Sequence, residues 1–224
     1  MKRICLLLCC LTVAGTVFSQ KDADKTKVEG WYFRAVGAYP GAISFKPLVL
    51  FGNGDYYKVN TTPIAELDLI SSKEKEAERW GRWKKTGERY MLTANDGKTN
   101  AYDLNAKNWF PAFPFEESLS LRGTYEKISG GDFGNGLLAL FDSELTFLDD
   151  TRFTHSENNG ILTAGSDAWK NNSDSGTYKI EGHTISFRYN DGRTTKLSFA
   201  IGAQGDNVID TDMLFIGGKA YIIE

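Results

Sequence analysis

Few side chains in this 224-residue chain are equipped for catalysis. His155 and His183 are its only histidines, so bases that titrate near neutrality are scarce. The three cysteines, Cys5, Cys9 and Cys10, all fall in one apolar stretch at the start. Nucleophilic catalysis needs a hydroxyl or thiol beside an oriented base, and there is no Gly-x-Ser-x-Gly to frame one. Two carboxylates facing each other across a cleft could hydrolyse a glycosidic bond. Glu116, Glu117, Asp142 and Glu144 are candidates, but acids in such numbers belong to any wet surface. Asp149-Asp150 and Asp210-Thr211-Asp212 are carboxylate pairs without the further ligands of a calcium loop, and two lone histidines fall short of a zinc set. Gly130–Gly136 is glycine-rich, but a strand follows it rather than a helix, so it reads as a loop and not a phosphate cradle. These residues predict a non-enzyme that uses no metal and no cofactor.

What remains is aromatic. Trp31, Trp80, Trp83, Trp109 and Trp169 join 10 Tyr and 14 Phe. Most such rings fill β interiors. Asn105–Ser118, NAKNWFPAFPFEES, stands apart, with four large aromatics and two prolines. Pro111 and Pro114 keep it extended and out of a central strand. It reads either as a strap that packs on the sheets or closes a barrel end, or as the aromatic lip of a ligand site. Trp109, Phe110, Phe113 and Phe115 are best placed for exposure, which would mark a ligand or a partner. With Trp31 and Trp83 they form the candidate ligand-binding set.

The elements that must position these rings are strands. Gly176–Phe199 recurs without a gap as Gly81–Leu104, and seven of the 24 positions are identical: Gly81/Gly176, Lys84/Lys179, Gly87/Gly182, both Asn-Asp-Gly triplets (95–97 and 190–192) and Thr99/Thr194. Apolar residues alternate in both copies: Tyr178 and Ile180, then Ile185, Phe187 and Tyr189, against Tyr90, Leu92 and Ala94. Period-two alternation buries one face of a sheet and wets the other, the antiparallel pattern. Asp-Gly in each triplet suits a hairpin turn.

Other pieces match in the same order. Gly30-Trp31-Tyr32 is similar to Gly123-Thr124-Tyr125, and the hairpin over 48–59 is similar to that over 145–154, pairing Phe51 with Phe147 and Tyr57 with Phe153. Three ordered matches predict a duplication. The copies diverge between hairpin and meander. In the first, Ser71-Ser72-Lys73-Glu74 resembles a capped helix start, and Lys73–Arg79 is a good helix former, so one or two short helices are expected. In the second, Ser156–Ser175 is rich in Asn, Gly and Ser and reads as loop. A hairpin over 213–223 closes the chain.

Residues 1–19 have the marks of a secretory signal: Lys2 and Arg3, the apolar run Ile4–Val13, then Val17-Phe18-Ser19 before Gln20. The run is too short to span a bilayer, and Leu8 before Cys9 argues against a lipid anchor. Gln20–Glu29 reads as a polar leader. Removing two basic residues from a chain of net charge −3 leaves the mature part near −5, which argues against nucleic acid as a partner. A mature chain without cysteine must be held by its core alone. This style resembles exported periplasmic or surface proteins of Gram-negative bacteria, with no integral membrane segment in the mature chain.

The residues Gly123-Thr124-Tyr125, Phe147–Phe153, Gly176-Thr177-Tyr178, Asp191-Gly192 and Leu214–Ile223 resemble the slots of small bacterial lipocalin-like domains. Gly30-Trp31-Tyr32, Phe51–Tyr57, Gly81-Arg82-Trp83 and Asp96-Gly97 fill them a first time. The resemblance implies an all-β chain of two antiparallel meander units, with repeat 1 and its aromatic linker over 20–118 and repeat 2 over 119–224. Two small barrels, two halves of one barrel and a two-sheet sandwich all fit this pattern. It implies an interior able to hold an apolar molecule and carries over no catalytic residue. The expected function is therefore an exported binding protein for a small apolar molecule, a glycan or a protein partner. The alternative is a structural or inhibitory surface protein acting by protein contact, and a carbohydrate-active enzyme ranks third.

Overall fold

The structure, a computed structural model, describes residues 27–37, 43–105, 108–132, 138–163, 166–204 and 208–223. The expected signal over 1–19, most of the leader over 20–29, the centre of the Pro40 turn and the end of the glycine-rich stretch lie outside the described residues.

Alternating sequence gives antiparallel strands throughout. A seven-stranded sheet comes first, built from β1 (Val28–Gly37), β2 (Ile43–Phe51), β3 (Asp55–Lys58), β4 (Trp80–Thr86), β5 (Arg89–Ala94), β6 (Thr99–Tyr102) and β7 (Trp109–Ala112). Its order is β6-β5-β4-β3-β2-β1-β7. The remaining strands form a closed eight-stranded barrel: β8 (Gly123–Asp132), β9 (Leu138–Phe147), β10 (Arg152–Thr163), β11 (Ser166–Glu181), β12 (Thr184–Tyr189), β13 (Thr194–Gln204), β14 (Val208–Ile216) and β15 (Lys219–Ile223). Closure leaves the barrel no edge, whereas the first sheet curls and stays open.

The repeated stretch keeps its register at an offset of 95 residues. Trp83 faces Leu92 as Tyr178 faces Phe187, and Tyr90 faces Tyr102 as Ile185 faces Leu197. The turns agree as well: Gly97 and Gly192 hold φ of 82° and 91°, and each Asp-Gly carboxylate accepts from the backbone two residues on. Gly81 and Gly176 recur for a second reason. A Cβ at Gly81 would collide with the Thr93 carbonyl and the Tyr56 ring, and one at Gly176 with the Arg188 carbonyl.

The start of the glycine-rich stretch is not loop, since Gly130, Gly131 and Asp132 continue β8 opposite Leu140, Ala139 and Leu138. Three further expectations change. The hairpins do not match as Phe51 with Phe147 and Tyr57 with Phe153. Phe147 and Phe153 fill the barrel, while Phe51 and Tyr57 lie on the outer face of the curled sheet. Leu50 and Tyr56 take the inner face instead. The strands β2 and β3 are apolar on both faces, so nothing in their pattern fixes the phase, and a slip of one residue swaps faces. Ser156–Ser175 is not a loop but part of the long β10–β11 hairpin, where Glu157 faces Asn172 and Asn159 faces Lys170. Barrel neighbours satisfy that backbone and override weak β-propensity. Finally, helix α1 runs Leu69–Lys75 and starts at Asp68, not Ser71; Asp68 Oδ1 accepts from the Ile70 and Ser71 amides at 3.1 Å each. Ser72 turns inward and accepts from Trp80 Nε1 at 3.0 Å. Two 3₁₀ turns, Ile64–Glu66 and Ala77–Arg79, flank α1.

Over β1–β3 the outer face of the curled sheet is dry because the barrel and the segment around α1 cover it. Trp31, Phe33, Val49, Phe51 and Tyr57 pack with Ala200 and Phe215 of the barrel wall. Burying such side chains stabilises by about 1.5–3 kcal/mol each. The strap ties the halves through its backbone. After β7 the Phe113 amide donates to Ile201 at 2.9 Å and its carbonyl accepts from Ile201 at 2.8 Å. The Phe115 amide then donates to the Gly182 carbonyl at 2.9 Å. Pro111 sits in the edge strand β7, where the missing N–H costs no ladder bond.

Candidate functional site

Alternation along β1, β2 and β3 sends every second side chain to the inside of the curl. Tyr32, Leu48, Leu50 and Tyr56 lie there, with Leu92 and Leu104 across from them. The two sheet edges approach each other, and Tyr102 of β6 meets Trp109 of β7 edge to face, 5.3 Å between centroids. Between these walls lies a cleft of about 450 Å³, within the range of roughly 300–1,000 Å³ usual for small-molecule sites. Leu48, Tyr56, Leu92, Ala94, Tyr102 and Trp109 supply its apolar lining. Gly81 lets the Tyr56 ring lie close on β4, so the absence of one methyl shapes a wall of the cleft. Burial raises the Tyr56 hydroxyl above its ordinary value, and nearby Tyr102 and Asp96 push it the same way, so it stays neutral.

The polar lining is cationic. Arg34, Lys46, Lys58 and Arg79 line the cleft with Asn100, and none of its lining residues is acidic. Arg34 lies over the Tyr102 and Trp109 rings, 5.3 and 5.9 Å from their centroids. Arg79 pairs with Glu76 at 3.4 Å, and Lys58 Nζ donates to the Glu78 carbonyl at 3.1 Å. Neither Arg34 nor Lys46 pairs with a carboxylate among the described residues. Three buried donors have no partner among the described residues, and two of them, Arg34 Nε and Trp109 Nε1, belong to the cleft, the third being Trp31 Nε1 on the opposite face.

The six aromatic candidates divide three ways. Trp109 lines the cleft, and Trp83 packs on the same cluster, its indole donating to the Phe51 carbonyl at 2.9 Å. Trp31 lies on the opposite face, against the barrel. Phe110 is half-buried in β7 opposite Phe33, while Phe113 and Phe115 reach the barrel, where the Phe115 ring meets Phe199 edge to face. Of the two readings of the strap, the burial agrees with the one that packs on the sheets: Trp109 is 8% exposed and the three phenylalanines, singled out for exposure, are half-buried, because the backbone bonds to both halves. The structure thus brings two of the six together. The side chains of Asp142 and Trp169 lie outside the described residues.

No protein-family model, curated protein or solved structure matches the chain.

The site therefore rests on its geometry. The acidic candidates Glu116 and Glu117 are exposed on the strap, away from the cleft lining, and Glu144 accepts from Ser156 Oγ at 3.2 Å. His155 lies within β10, and its Nε2 is 2.8 Å from Ser143 Oγ. Glu157 approaches the same nitrogen at 3.8 Å. A relay needs the acid on the other ring nitrogen, so these three groups lack its geometry. Burial lowers the His155 imidazole below its usual value despite nearby Glu157 and Asp174. The residues that sequence reasoning missed are Arg34, Lys46 and Lys58. Each shares the phase of an inward-facing residue on its own strand, Arg34 with Tyr32, Lys46 with Leu48, Lys58 with Tyr56, but apolar residues occupy both phases there, so the pattern alone gave no signal.

Proposed function

We propose that this protein is an exported, non-enzymatic binding protein that holds a small molecule inside the curl of its first sheet. The observation that carries this reading is the 450 Å³ cleft walled by Leu92, Tyr102 and Trp109, with donors but no acid among its lining residues. A ligand there would find apolar walls for burial and a few polar groups for orientation. The barrel serves as the foundation: over its described part the interior is filled by rings such as Tyr125, Phe147 and Phe187. In this reading both halves are lipocalin-like units of one ancestry, which the shared register at an offset of 95 supports. The segment 1–19 would direct the chain out of the cytoplasm. The strap is occupied within the molecule, which favours a small ligand over a protein partner.

The test is native mass spectrometry of the protein produced in an exporting bacterial host, beside an Ala94→Trp variant whose indole occupies the cleft. The expected result is a bound mass on the parent that the variant lacks. A bound mass carried equally by both, or by neither, speaks against this cleft.

A further inference from the structure

We infer that the ligand is an anion with an apolar or aromatic body, its negative group seated by Arg34 and Lys46. The inference rests on the cleft being the binding site and adds the chemical class of its occupant. Four cations line the cleft and no carboxylate does. Arg79 is partly neutralised by Glu76, and the nearby Asp96 is engaged by Lys98 at 2.8 Å. Arg34 and Lys46 have no acidic partner among the described residues. They are adjacent, since Arg34 of β1 faces Lys46 of β2 in register. Two like charges directly opposite on one face destabilise a sheet, so the pair is costly until something negative lies between.

Arg34 is half-buried and held over two rings, which fixes its plane in advance. A guanidinium so placed presents a rigid fork to a carboxylate, sulfonate or phosphate. The cleft is also short of acceptors, with Arg34 Nε and the indole N–H of Trp109, itself 8% exposed, both buried and without a partner among the described residues. Buried donors without partners are uncommon in folded proteins, and an acceptor brought by a ligand would relieve the shortage. Beside these donors Trp109, Tyr102 and Leu92 offer a surface for flat or aliphatic groups. Charge and grease thus lie side by side, as an amphipathic anion requires.

Two dyes of one skeleton test this. 8-Anilinonaphthalene-1-sulfonate is anionic, and N-phenyl-1-naphthylamine is its neutral counterpart. The parent should bind the sulfonate one to one and more tightly than the neutral dye. Arg34→Gln should weaken the sulfonate by roughly tenfold, and Lys46→Glu by a similar factor, in each case well beyond any change in the neutral dye. Lys46 is exposed, so its variant answers the question even where Arg34→Gln folds poorly. Raising the salt toward about 1 M, where screening acts within roughly 3 Å, should weaken only the sulfonate. Equal binding of both dyes, lost in Ala94→Trp but indifferent to either charge variant, overturns the anion and leaves the cleft. No binding by the parent, or binding unchanged by Ala94→Trp, overturns both.

Discussion

The indole of Trp31 lies flat on the imidazole of His183, ring centroids 4.5 Å apart and planes 12° apart. Trp31 belongs to the curled sheet and His183 to the turn between β11 and β12, so the stack joins the two halves. Burial holds the His183 imidazole below its ordinary value, against the opposing effect of its 3.0 Å contact with the Phe199 carbonyl.

That shift sets a pH dependence. The unfolded histidine protonates first, near pH 6.5. The neutral folded ring therefore contributes stability that is full above about 6.5 and is lost as pH falls through the lower folded value. The thermal midpoint should decline across that window. His183→Phe keeps a ring on Trp31 and cannot titrate, so it should flatten the decline, leaving the share of His155. Calorimetry between about pH 5 and 8 checks this; an unchanged slope in the variant would show that the stack is indifferent to charge.

Trp109 should behave as core. Trp109→Ser removes a ring that is 8% exposed and should cost about 3–5 kcal/mol by denaturant unfolding. Phe110→Ser, at a half-buried position on the same strand, should cost clearly less. Equal and small losses would mean that the strap is not structural.

Gly81→Ala and Gly176→Ala should both destabilise by about 1–3 kcal/mol, since each added methyl meets backbone. They should differ in function. The methyl at Gly81 also displaces Tyr56, a wall of the cleft, whereas Gly176 lies in the barrel. Dye binding measured on folded protein should fall for the first and not for the second.

Asp55, 5% exposed, holds Lys73 of α1 and Arg82 of β4 together, the latter at 2.6 Å. Burial works against its carboxylate, but the bonds from Lys73 and Arg82 outweigh it and hold the group below the ordinary range. The depressed value means a contribution present above about pH 4 and lost as pH falls through the folded value. Asp55→Asn should cost about 1.5–3 kcal/mol at neutral pH and almost nothing in strong acid. A loss that persists unchanged at low pH would point to packing instead.

Much of the fold was legible where the two faces of a strand differ in polarity. Trp83 with Tyr178 and Leu92 with Phe187 were matched correctly because wet residues alternate with them. Val49, Leu50 and Phe51 gave no such contrast, as both faces of β2 are covered, and the phase was lost there. The β10–β11 hairpin was illegible for another reason: Asn, Gly and Ser there carry no pattern, and the ladder comes from neighbouring strands. Of the cleft, the aromatic wall at Trp109 was visible. Arg34 and Lys46 were not, because charge on a strand normally means solvent, and only the curl of the sheet turns it inward.

In β1 Tyr32 and Arg34, on the inside of the curl, interleave with Trp31 and Phe33, which fasten the sheet to the barrel. Under the proposed function, cargo preference and moorings are therefore written one letter apart along a single ribbon. Exchanging one letter in place retunes one task and spares the other. Losing a single codon there would trade them wholesale, pressing a guanidinium into the seam and setting an indole inside the curl.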